Sequence, residues 1–289
     1  MTLPGILVTG SNGQLGNEIR RLTEKLPNAR WIFTDVAELD ITSPQAIHAF
    51  TEQNDIQWII NCAAYTAVDK AETEREIAWS INAAAPGYLA EAALKKHIPL
   101  IHISTDYVFD GRGYRPYSHE AIPAPESWYG KTKLGGEEAI RASGAKAWVI
   151  RTSWLYSVFG NNFVKTIRRL GQERESLGIV ADQTGSPTWA ADLASLLIHI
   201  IQNELRPEGY QILHYSNEGI CSWYDFACEI LNISGISCRV NPIRTEQYPL
   251  PAPRPFYSVM DKSYSRERMG IEIPHWTESL KKCIALLDE

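Results

Sequence analysis

Residues 5–16 read GILVTGSNGQLG, an apolar run that leads straight into glycines at positions 10, 13 and 16. The apolar run from Gly5 to Thr9 is typical of a buried parallel strand, and a helical pattern follows from Asn17 to Leu26. Glycines at such a turn let the backbone approach a pyrophosphate, whose charge the helix N-terminus stabilises. The stretch therefore predicts a parallel α/β sheet with a dinucleotide site at its first turn.

The glycine spacing is G-x-x-G-x-x-G rather than G-x-G-x-x-G, and a tight turn without a ligand is the alternative interpretation. A second predicted strand, Arg30 to Thr34, ends at Asp35. This acid comes about 20 residues after the last glycine, where a carboxylate can hold an adenosine ribose. Because a carboxylate repels a 2′-phosphate, Asp35 favours NADH over NADPH, unless Arg20, Arg21 or Arg30 offsets that preference.

Further apolar strands alternate with helical patterns through the first half of the chain. The predicted strands and helices are Gln57–Ala63, Ile77–Lys96, Pro99–Ser104, Lys131–Ser143 and Ala147–Thr152. This alternation predicts a doubly wound parallel sheet, in which ligands bind beyond the carboxyl ends of the strands. Five groups of residues fall at those ends: Gly10, Asp35, Ala63-Ala64, Thr105 and Thr152-Ser153-Trp154.

After about residue 155 the regular alternation of strands and helices ends. Amphipathic segments and short strands follow, at Phe163–Gly171, Leu177–Ala181, Trp189–Ile201, Gln211–His214 and Trp223–Leu231. Prolines from Pro249 to Pro255 predict an ordered loop rather than a helix. We expect an NAD(P)-binding Rossmann domain over residues 1–155, with a returning helix near residues 189–203. Residues 156–289 are expected to form a smaller, discontinuous α/β domain that binds the substrate.

Composition excludes several classes of protein. The 289-residue chain carries a net charge of −6, which gives no sign of a nucleic-acid surface. It shows no secretory leader pattern and no apolar run long enough to span a bilayer, so no membrane partner is expected. The five cysteines are scattered without C-x-x-C spacing, which fits reduced thiols in a cytoplasm. The seven histidines form no ligand pattern, and we predict no structural metal.

Tyr129 and Lys133 lie four residues apart in a predicted helix, so both side chains can reach one ligand. A nearby ammonium lowers the pKa of a phenol, because the cation favours the phenolate. Thr105 ends an earlier strand, where its hydroxyl could hold the reacting oxygen. The three residues predict a proton-transfer site, and an ordinary surface tyrosine is the alternative.

Further motifs recur in order along most of the chain. They are NCAAYTAVDKAE at 61–72, STDYVFDG at 104–111, YGKTK at 129–133, RTSW at 151–154, DQTGSPT at 182–188 and RP at 254–255. With the glycine turn, these motifs resemble the extended short-chain dehydrogenase/reductases. Within that family, they are most similar to reductases of a 4-keto-6-deoxyhexose linked to dTDP. Cys62 departs from the pattern, because a small residue is expected there.

The resemblance implies that a nicotinamide cofactor, NADH or NADPH, delivers hydride to C4 of the sugar. Tyr129 would protonate the resulting alkoxide, and Thr105 would hydrogen-bond the carbonyl oxygen. Lys133 would lower the pKa of Tyr129 and hold the nicotinamide ribose. Asn82 would stabilise the site or its water chain, and a backbone-bonding helix asparagine is an equal alternative.

The resemblance also implies two sets of binding residues. The cofactor would contact Gly10, Asn12, Gly13, Gln14, Leu15, Gly16, Asp35, Asp40, Ile41, Ala63, Ala64, Tyr65, Thr66, Asn82, Ile103, Tyr129 and Lys133. The sugar nucleotide would contact Thr105, Asp106, Tyr107, Trp154, Asn162, Gln183 and Arg254. For Asp40 and Thr66 the alternative is a helix cap. For Arg254, a candidate diphosphate ligand, the alternative is an exposed loop arginine.

Several questions stay open at the level of sequence. Some reductases of this family form homodimers through Mg²⁺, and Glu18 stands at a compatible place. The segment from Trp189 to Asp192 lacks a matching glutamate, so we predict no firm Mg²⁺ site, and a homodimer stays open. Another sugar-nucleotide epimerase or reductase and a non-catalytic regulatory subunit of the same fold are the alternatives. A dehydratase is disfavoured, because Tyr107 follows Asp106 where a second carboxylate is expected.

Overall fold

A computed structural model describes residues 5–24 and 29–289. Its strands, in chain order, are β1 (Gly5–Thr9), β2 (Arg30–Thr34), β3 (Ile56–Asn61), β4 (Leu100–Thr105), β5 (Ala147–Thr152), β6 (Leu155–Tyr156), β7 (Ser176–Val180), β8 (Thr184–Gly185), β9 (Thr188–Trp189), β10 (Tyr210–His214), β11 (Cys221–Ser222) and β12 (Arg239–Ile243). Its α-helices are α1 (Gln14–Thr23), α2 (Pro44–Gln53), α3 (Val68–Ala71), α4 (Arg75–Trp79), α5 (Ala85–Lys96), α6 (Trp128–Ser143), α7 (Phe163–Glu173), α8 (Ala190–Gln202), α9 (Trp223–Ile233), α10 (Ser263–Met269) and α11 (Trp276–Leu287).

The main sheet has six strands in the order β10-β5-β4-β3-β1-β2, and each neighbouring pair is parallel. The chain leaves β1 toward β2 on one side and returns to β3 on the other. This reversal opens a crevice beyond the carboxyl ends of β1 and β3, which is where doubly wound sheets bind ligands. The predicted doubly wound parallel fold is confirmed.

Helices cover both faces of the sheet with apolar side chains. On one face, α1 and α8 pack together and bury Ile19, Leu193 and Leu197 against the strands. On the other face, α2, α5 and α6 contribute the buried side chains Leu89 and Ile140 and their neighbours. Each such side chain stabilises the fold by roughly 1.5–3 kcal/mol when it leaves water. The alternation of strands and helices thus yields one sheet between two helical layers.

The turn after β1 requires glycine at two positions. Gly10 has a φ of 65°, and a Cβ placed there would lie 2.5 Å from the Cα of Ala63. A Cβ on Gly16 would lie 2.5 Å from the Cα of Ser11. Helix α1 begins at Gln14, before the predicted start at Asn17, because the glycine turn itself forms its first turn. The predicted end at Leu26 lies outside the described residues.

The helix predicted from Ile77 to Lys96 is instead interrupted. Helix α4 is followed by a π-helical turn, Ser80–Ala84, and only then by α5. Pro86 has no N–H to donate to the carbonyl of Asn82, so regular α-helical bonding cannot run through this turn. Helix α6 begins at Trp128, earlier than predicted, because the Ser127 side chain accepts a hydrogen bond from the Gly130 N–H at 3.1 Å.

The C-terminal part of the chain contains a separate hydrophobic core. Helices α7, α9 and α11 supply most of it, with buried Tyr156, Phe226 and Trp276 among its members. One predicted element lies elsewhere. The segment Gln211–His214 was expected in the smaller domain, but β10 pairs with β5 as an edge strand of the main sheet. The part of the chain that returns to the main sheet therefore includes β10 as well as α8. There β10 pairs with the edge of β5 that β4 does not occupy.

Among the helices in the described part of the chain, none has the length and apolar character needed to cross a bilayer. The loop from Pro249 to Pro255 is not helical, as expected. All five cysteines are free thiols.

A buried ion pair fastens α6 to the sheet. The Arg151 Nη2 of β5 lies 2.6 Å from the Glu137 Oε2 of α6, and the Arg151 Nε donates to Oε1 at 2.9 Å. The Ser104 hydroxyl of β4 donates to the same Oε1 at 2.5 Å. Both charged side chains are almost fully buried, so each depends on the other for compensation.

Replacing Arg151 by methionine leaves the Glu137 carboxylate buried without its partner. We expect Arg151→Met to lower the free energy of unfolding by about 3–5 kcal/mol, measured by urea denaturation. The control is Arg169→Met, which removes the exposed pair with Glu173 and should cost only about 0.3–0.5 kcal/mol. A loss in Arg151→Met no larger than that of the control would contradict this role of the buried pair.

Candidate active site

A cleft of about 730 Å³ lies beyond the carboxyl ends of the main-sheet strands. It runs from the glycine turn after β1, past the ends of β3 and β4, to the segment that follows β5. Most of the predicted cofactor residues line it: Gly10, Gly13, Gln14, Leu15, Gly16, Asp35, Asp40, Ile41, Ala63, Ala64, Thr66, Ile103, Tyr129 and Lys133. The strand ends therefore bring together residues that are far apart in sequence.

Asp35 is held at the edge of the cleft by backbone groups. Its Oδ2 accepts from the Asn12 N–H at 3.0 Å, and its Oδ1 accepts from the Val36 N–H at 2.9 Å. Asn12 itself is exposed and does not line the cleft, so it contributes to the site through this backbone bond. The carboxylate is thus fixed where the first turn and β2 end.

The three arginines that could offset the charge of Asp35 have different surroundings. Arg21 pairs with Glu18 at 2.8 Å, and Arg30 donates to the Asp55 carbonyl at 3.1 Å. Arg20 lies over the Phe33 ring, with its Cζ 4.2 Å from the ring centroid, and donates to the Ser11 hydroxyl at 3.3 Å. Of the three, Arg20 is the guanidinium nearest the glycine turn.

The helix-cap alternatives for Asp40 and Thr66 are both wrong. Ser43 caps α2 by accepting from the Ala46 N–H at 3.2 Å, whereas Asp40 accepts from the Thr42 N–H at 2.9 Å. Hydrogen bonds from Thr42 lower the pKa of Asp40. Helix α3 has no side-chain cap, and Thr66 is exposed along the cleft.

Tyr65 and Asn82 do not present their side chains to the cleft. The Tyr65 hydroxyl donates to Glu74 at 2.5 Å, away from the site. The Asn82 amide brackets the Tyr65 backbone, accepting from its N–H at 2.8 Å and donating to its carbonyl at 3.0 Å. Asn82 also donates to the Thr132 hydroxyl at 3.0 Å. The π-helical turn thus makes Asn82 a buried backbone-bonding asparagine, and its predicted contact with the cofactor is not supported.

Thr105, Tyr129 and Lys133 line the same part of the cleft. The Tyr129 ring is 9% exposed and meets the Tyr107 ring edge-on, with centroids 5.4 Å apart. Thr105 ends β4 and Tyr129 lies in the first turn of α6, so the sheet edge and the helix N-terminus hold them side by side. The chain thus places a phenol, a hydroxyl and an amine together.

Lys133 is not among the groups that shift the pKa of Tyr129, so its lowering of that pKa stays a prediction. Burial raises the pKa of Tyr129 to about 12, a hydrogen bond with Thr105 opposes this rise, and the charge of Asp106 adds to it. Burial also lowers the pKa of Lys133 to about 8, and its Nζ donates to the Ile103 carbonyl at 2.7 Å. Tyr129 consequently carries its proton at neutral pH, as a proton donor must.

Asp106 and Tyr107 line the cleft as predicted for the substrate side. Asp106 is buried, and its Oδ1 accepts from the Thr105 hydroxyl at 3.0 Å. Burial raises the pKa of Asp106 to about 6. This carboxyl therefore titrates close to neutral pH.

Trp154 also lines the cleft, in an unusual backbone conformation with a φ of 47°. Its ring stacks on Trp223, with centroids 3.6 Å apart and an interplanar angle of 8°. Gly185 lies against the Trp154 ring, because a Cβ there would come within 2.7 Å of it. Trp189, by contrast, is buried in the second core.

Three predicted substrate residues are not among those that line the cleft, and each is bonded to another side chain. Asn162 caps α7, accepting from the Lys165 N–H at 3.1 Å, and donates to the Gln14 side chain at 3.0 Å. Gln183 donates to the Thr245 hydroxyl at 3.1 Å. Arg254 pairs with Asp69 at 2.8 Å across two distant segments, so it is not the exposed arginine of the alternative. Each side chain has a partner that its own sequence neighbourhood does not reveal.

Other lining residues were missed from the sequence. They are Val36, Leu39, Thr42, Cys62, Val68, Ile81, Ser104, Leu155, Gly160 and Asn161. The first three adjoin predicted contacts and could have been found by extending those segments. Gly160 has a φ of 64°, and the turn composition of Gly160-Asn161-Asn162 was the available signal for the last two.

Glu18 is fully buried rather than at the surface. Its carboxylate accepts from the Ser157 hydroxyl at 2.6 Å and pairs with Arg21. Within residues 5–24 and 29–289, no cluster of acidic, histidine or cysteine side chains could hold a metal ion.

Known proteins share both the sequence and the shape of this chain. The family model described as RmlD substrate binding domain matches residues 4–289. The dTDP-4-dehydrorhamnose reductase of Aggregatibacter actinomycetemcomitans is 39% identical over 287 residues, covering 96% of this chain and 97% of its own.

Two solved structures extend the comparison. A dTDP-4-dehydrorhamnose reductase from Clostridium acetobutylicum has a TM-score of 0.94 and 44% identity, covering 99% of this chain and 100% of that chain. Another from Bacillus anthracis, in complex with NADP, has a TM-score of 0.93 and 38% identity, with the same coverage. The resemblance seen in the motifs is confirmed, and this chain belongs to the family of the RmlD substrate binding domain.

Proposed function

We propose that this protein reduces the 4-keto group of dTDP-4-dehydro-L-rhamnose with NADH or NADPH, giving dTDP-L-rhamnose. The observation that carries the proposal is the presence of Thr105, Tyr129 and Lys133 in the cleft that begins at the glycine turn. Family membership and the dTDP-4-dehydrorhamnose reductases among its relatives support the choice of substrate. The protein is therefore expected to work as an oxidoreductase on a nucleotide sugar.

The cleft fits a nicotinamide dinucleotide. The turn at Gly10 leaves no room for a side chain, so backbone groups are free to approach a pyrophosphate at the start of α1. Asp35 would hold the adenosine ribose, and Ala63 and Ala64 would border the cofactor further along. When bound, the reduced nicotinamide supplies the hydride for the ketone. The NADP complex of the Bacillus anthracis relative supports this assignment.

The chain's own residues supply the proton and hold the ketone oxygen. The pKa of Tyr129 lies well above neutral pH, so the phenol is protonated there and can donate to the alkoxide that forms. On substrate binding, the Thr105 hydroxyl would turn from Asp106 and donate its hydrogen bond to the same oxygen. Lys133, on the same helix, would bind ribose hydroxyls and replace the proton that Tyr129 gives up.

On the substrate side, Asp106, Tyr107 and Trp154 would contact the sugar. Trp154 is well suited to bind a ring face, because Trp223 already covers one of its own faces and fixes its orientation. We assign residues 1–155, with α8 and β10, to cofactor binding, and the part built on the second core to the sugar nucleotide. A cytoplasmic location and the possibility of a homodimer remain predictions.

Replacing Tyr129 by phenylalanine removes the proposed proton donor and little else. Because general acid catalysis contributes about 10²–10⁴-fold, we expect kcat to fall by that factor. The assay follows NADH or NADPH oxidation with dTDP-4-dehydro-L-rhamnose. Tyr114→Phe, at an exposed tyrosine far more open to solvent, is the matched control and should keep full activity.

Different results would overturn different parts of the proposal. Failure of the wild type to turn over this sugar would reject the substrate. Unchanged activity in Tyr129→Phe would reject only the proton donor. An epimerase would retain oxidised cofactor through purification, visible in the absorbance of the isolated protein, and a regulatory subunit would show no turnover with any nucleotide sugar.

Cofactor preference gives a second prediction. Asp35→Asn keeps the size of the side chain and one of its two acceptor oxygens, and it removes the charge that repels a 2′-phosphate. We expect the ratio of kcat/KM for NADPH to that for NADH to rise by about tenfold, which is about 1.4 kcal/mol. Arg20→Gln should lower the same ratio, because it removes the guanidinium nearest the turn.

Glu38→Gln provides the control for Asp35. Glu38 accepts from the Asp35 N–H at 2.9 Å, so its charge is close by but directed at the backbone. Its replacement should leave the cofactor ratio nearly unchanged. If Asp35→Asn also leaves the ratio unchanged, a group other than Asp35 determines the preference between NADH and NADPH.

A further inference from the structure

A buried histidine, His102, stands directly behind Lys133. It lies in the middle of β4 and is 0% exposed. Its Nε2 is 3.4 Å from the Lys133 Nζ, and its Nδ1 is 3.0 Å from the Asn61 Nδ2. The chemistry proposed above uses neither His102 nor Asn61. Their positions nevertheless determine which atom, a nitrogen with or without a proton, faces the buried side of the Lys133 amine.

The orientation of the Asn61 amide is fixed by a backbone group. The Ala63 N–H donates to the Asn61 Oδ1 at 3.1 Å, and the Thr9 hydroxyl is 2.7 Å from the same oxygen. A backbone N–H can only donate, so this atom of Asn61 must be the oxygen. The amide nitrogen therefore points at His102.

The Asn61 amide in turn fixes the tautomer of His102. Because Asn61 Nδ2 can only donate, His102 Nδ1 must accept and carries no proton. Burial, with a smaller contribution from the charge of Lys133, lowers the pKa of His102 far below its usual value, so the ring is neutral. A neutral ring with a bare Nδ1 has its proton on Nε2, the atom that faces Lys133.

This N–H has opposite consequences for the two forms of Lys133. A neutral amine accepts from the His102 Nε2–H through its lone pair and donates to the Ile103 carbonyl. An ammonium has no lone pair, so the same N–H confronts a positive charge without a bond. The pair of contacts therefore favours the amine over the ammonium.

Among the groups of the described residues that face Lys133, no unpaired anion opposes this effect. Besides His102 on β4, these groups are Cys62 after β3, and Tyr129 and Glu137 on α6. Burial raises the pKa of Cys62 to about 12, so its thiol is neutral, as is the Tyr129 phenol. Glu137 raises the pKa of Lys133, but its carboxylate is already bonded to Arg151 and Ser104.

We propose that His102 is a positioning residue whose Nε2–H, fixed by Asn61, destabilises the ammonium of Lys133 and makes this lysine a proton carrier at neutral pH. The inference rests on the proposed function. In each turnover the Tyr129 phenol would lose one proton to the sugar alkoxide. The resulting phenolate would regain one from the Lys133 ammonium, and the amine would regain one from water. A lysine held strongly in its ammonium form would give up that proton less readily.

The tautomer of His102 can be tested without any activity. Long-range proton–nitrogen NMR spectra of protein with isotopically labelled histidine distinguish Nε2–H, Nδ1–H and the doubly protonated ring. His102 is assigned by the signal that disappears in His102→Gln. We expect a neutral ring with the proton on Nε2 across neutral pH. A proton on Nδ1, or a doubly protonated ring, would overturn the proposal.

The second measurement is the titration of Lys133, followed by NMR of labelled lysine side chains in protein without cofactor. Wild type should titrate near pH 8. His102→Leu removes the N–H and should raise the midpoint by about one pH unit or more. His102→Gln presents an amide N–H near the former Nε2 and should stay closer to wild type. His48→Leu, at an exposed histidine, is the control.

The outcomes separate this inference from the proposed function. An unchanged Lys133 midpoint in His102→Leu, or an equal rise in His102→Gln, would reject the role of the N–H. If His102→Leu does not fold, the proposal is still tested by the tautomer of His102 in the wild type and by the Lys133 midpoint in His102→Gln. In the reductase assay, the alkaline limb of kcat/KM should move upward with the Lys133 midpoint. If the NMR results are as expected but the wild type does not turn over the sugar, the proposed substrate is rejected. The effect of His102 on Lys133 is then still supported.

Discussion

The position of the candidate catalytic groups depends on the buried pair between Glu137 and Arg151. Tyr129 and Lys133 are carried by α6, whereas Thr105 is carried by β4, so the three meet only if the helix is held against the sheet. The pair and Ser104 join the helix to β5 and β4 at a place from which water is excluded. A charged pair costs more to bury than apolar packing would, but it tolerates no sliding of the helix, because a small shift would leave a charge without its partner.

The second constraint is the close approach of backbone at the crevice between β1 and β3. Gly10 lies so near Ala63 that neither a side chain nor a bulky ligand group fits between them. Next to this contact, the Asn61 amide bonds to Thr9, to Ala63 and to His102. The glycine turn that would hold the cofactor and the lysine that would hold its ribose are therefore connected through one asparagine. Geometry at the first turn and electrostatics at the catalytic helix are parts of the same buried network.

Local pattern was enough to predict five of the six strands of the main sheet and the three catalytic candidates. Strand periodicity, the glycine turn and the strand-end position of Thr105 are properties of short segments, and parallel strands bring their ends to a common edge. Side-chain direction was a different matter. Tyr65, Gln183 and Arg254 turn toward Glu74, Thr245 and Asp69, and two of these three partners lie tens of residues away. The place of β10 in the sheet and the raised Tyr129 pKa likewise depend on long-range packing and burial, which no local pattern contains.

The return of α8 and β10 to the main sheet has a consequence for how the chain folds as it is synthesised. The sheet lacks its last strand until residue 214, and the face beneath α1 lacks α8 until residue 202. An N-terminal fragment ending near residue 155 would also leave the buried Glu18 without the Ser157 hydroxyl. Contacts of such long sequence separation form late and expose apolar surface while they are missing. During synthesis, the first half of the protein therefore exposes one edge and part of one face of its sheet until these later segments are made.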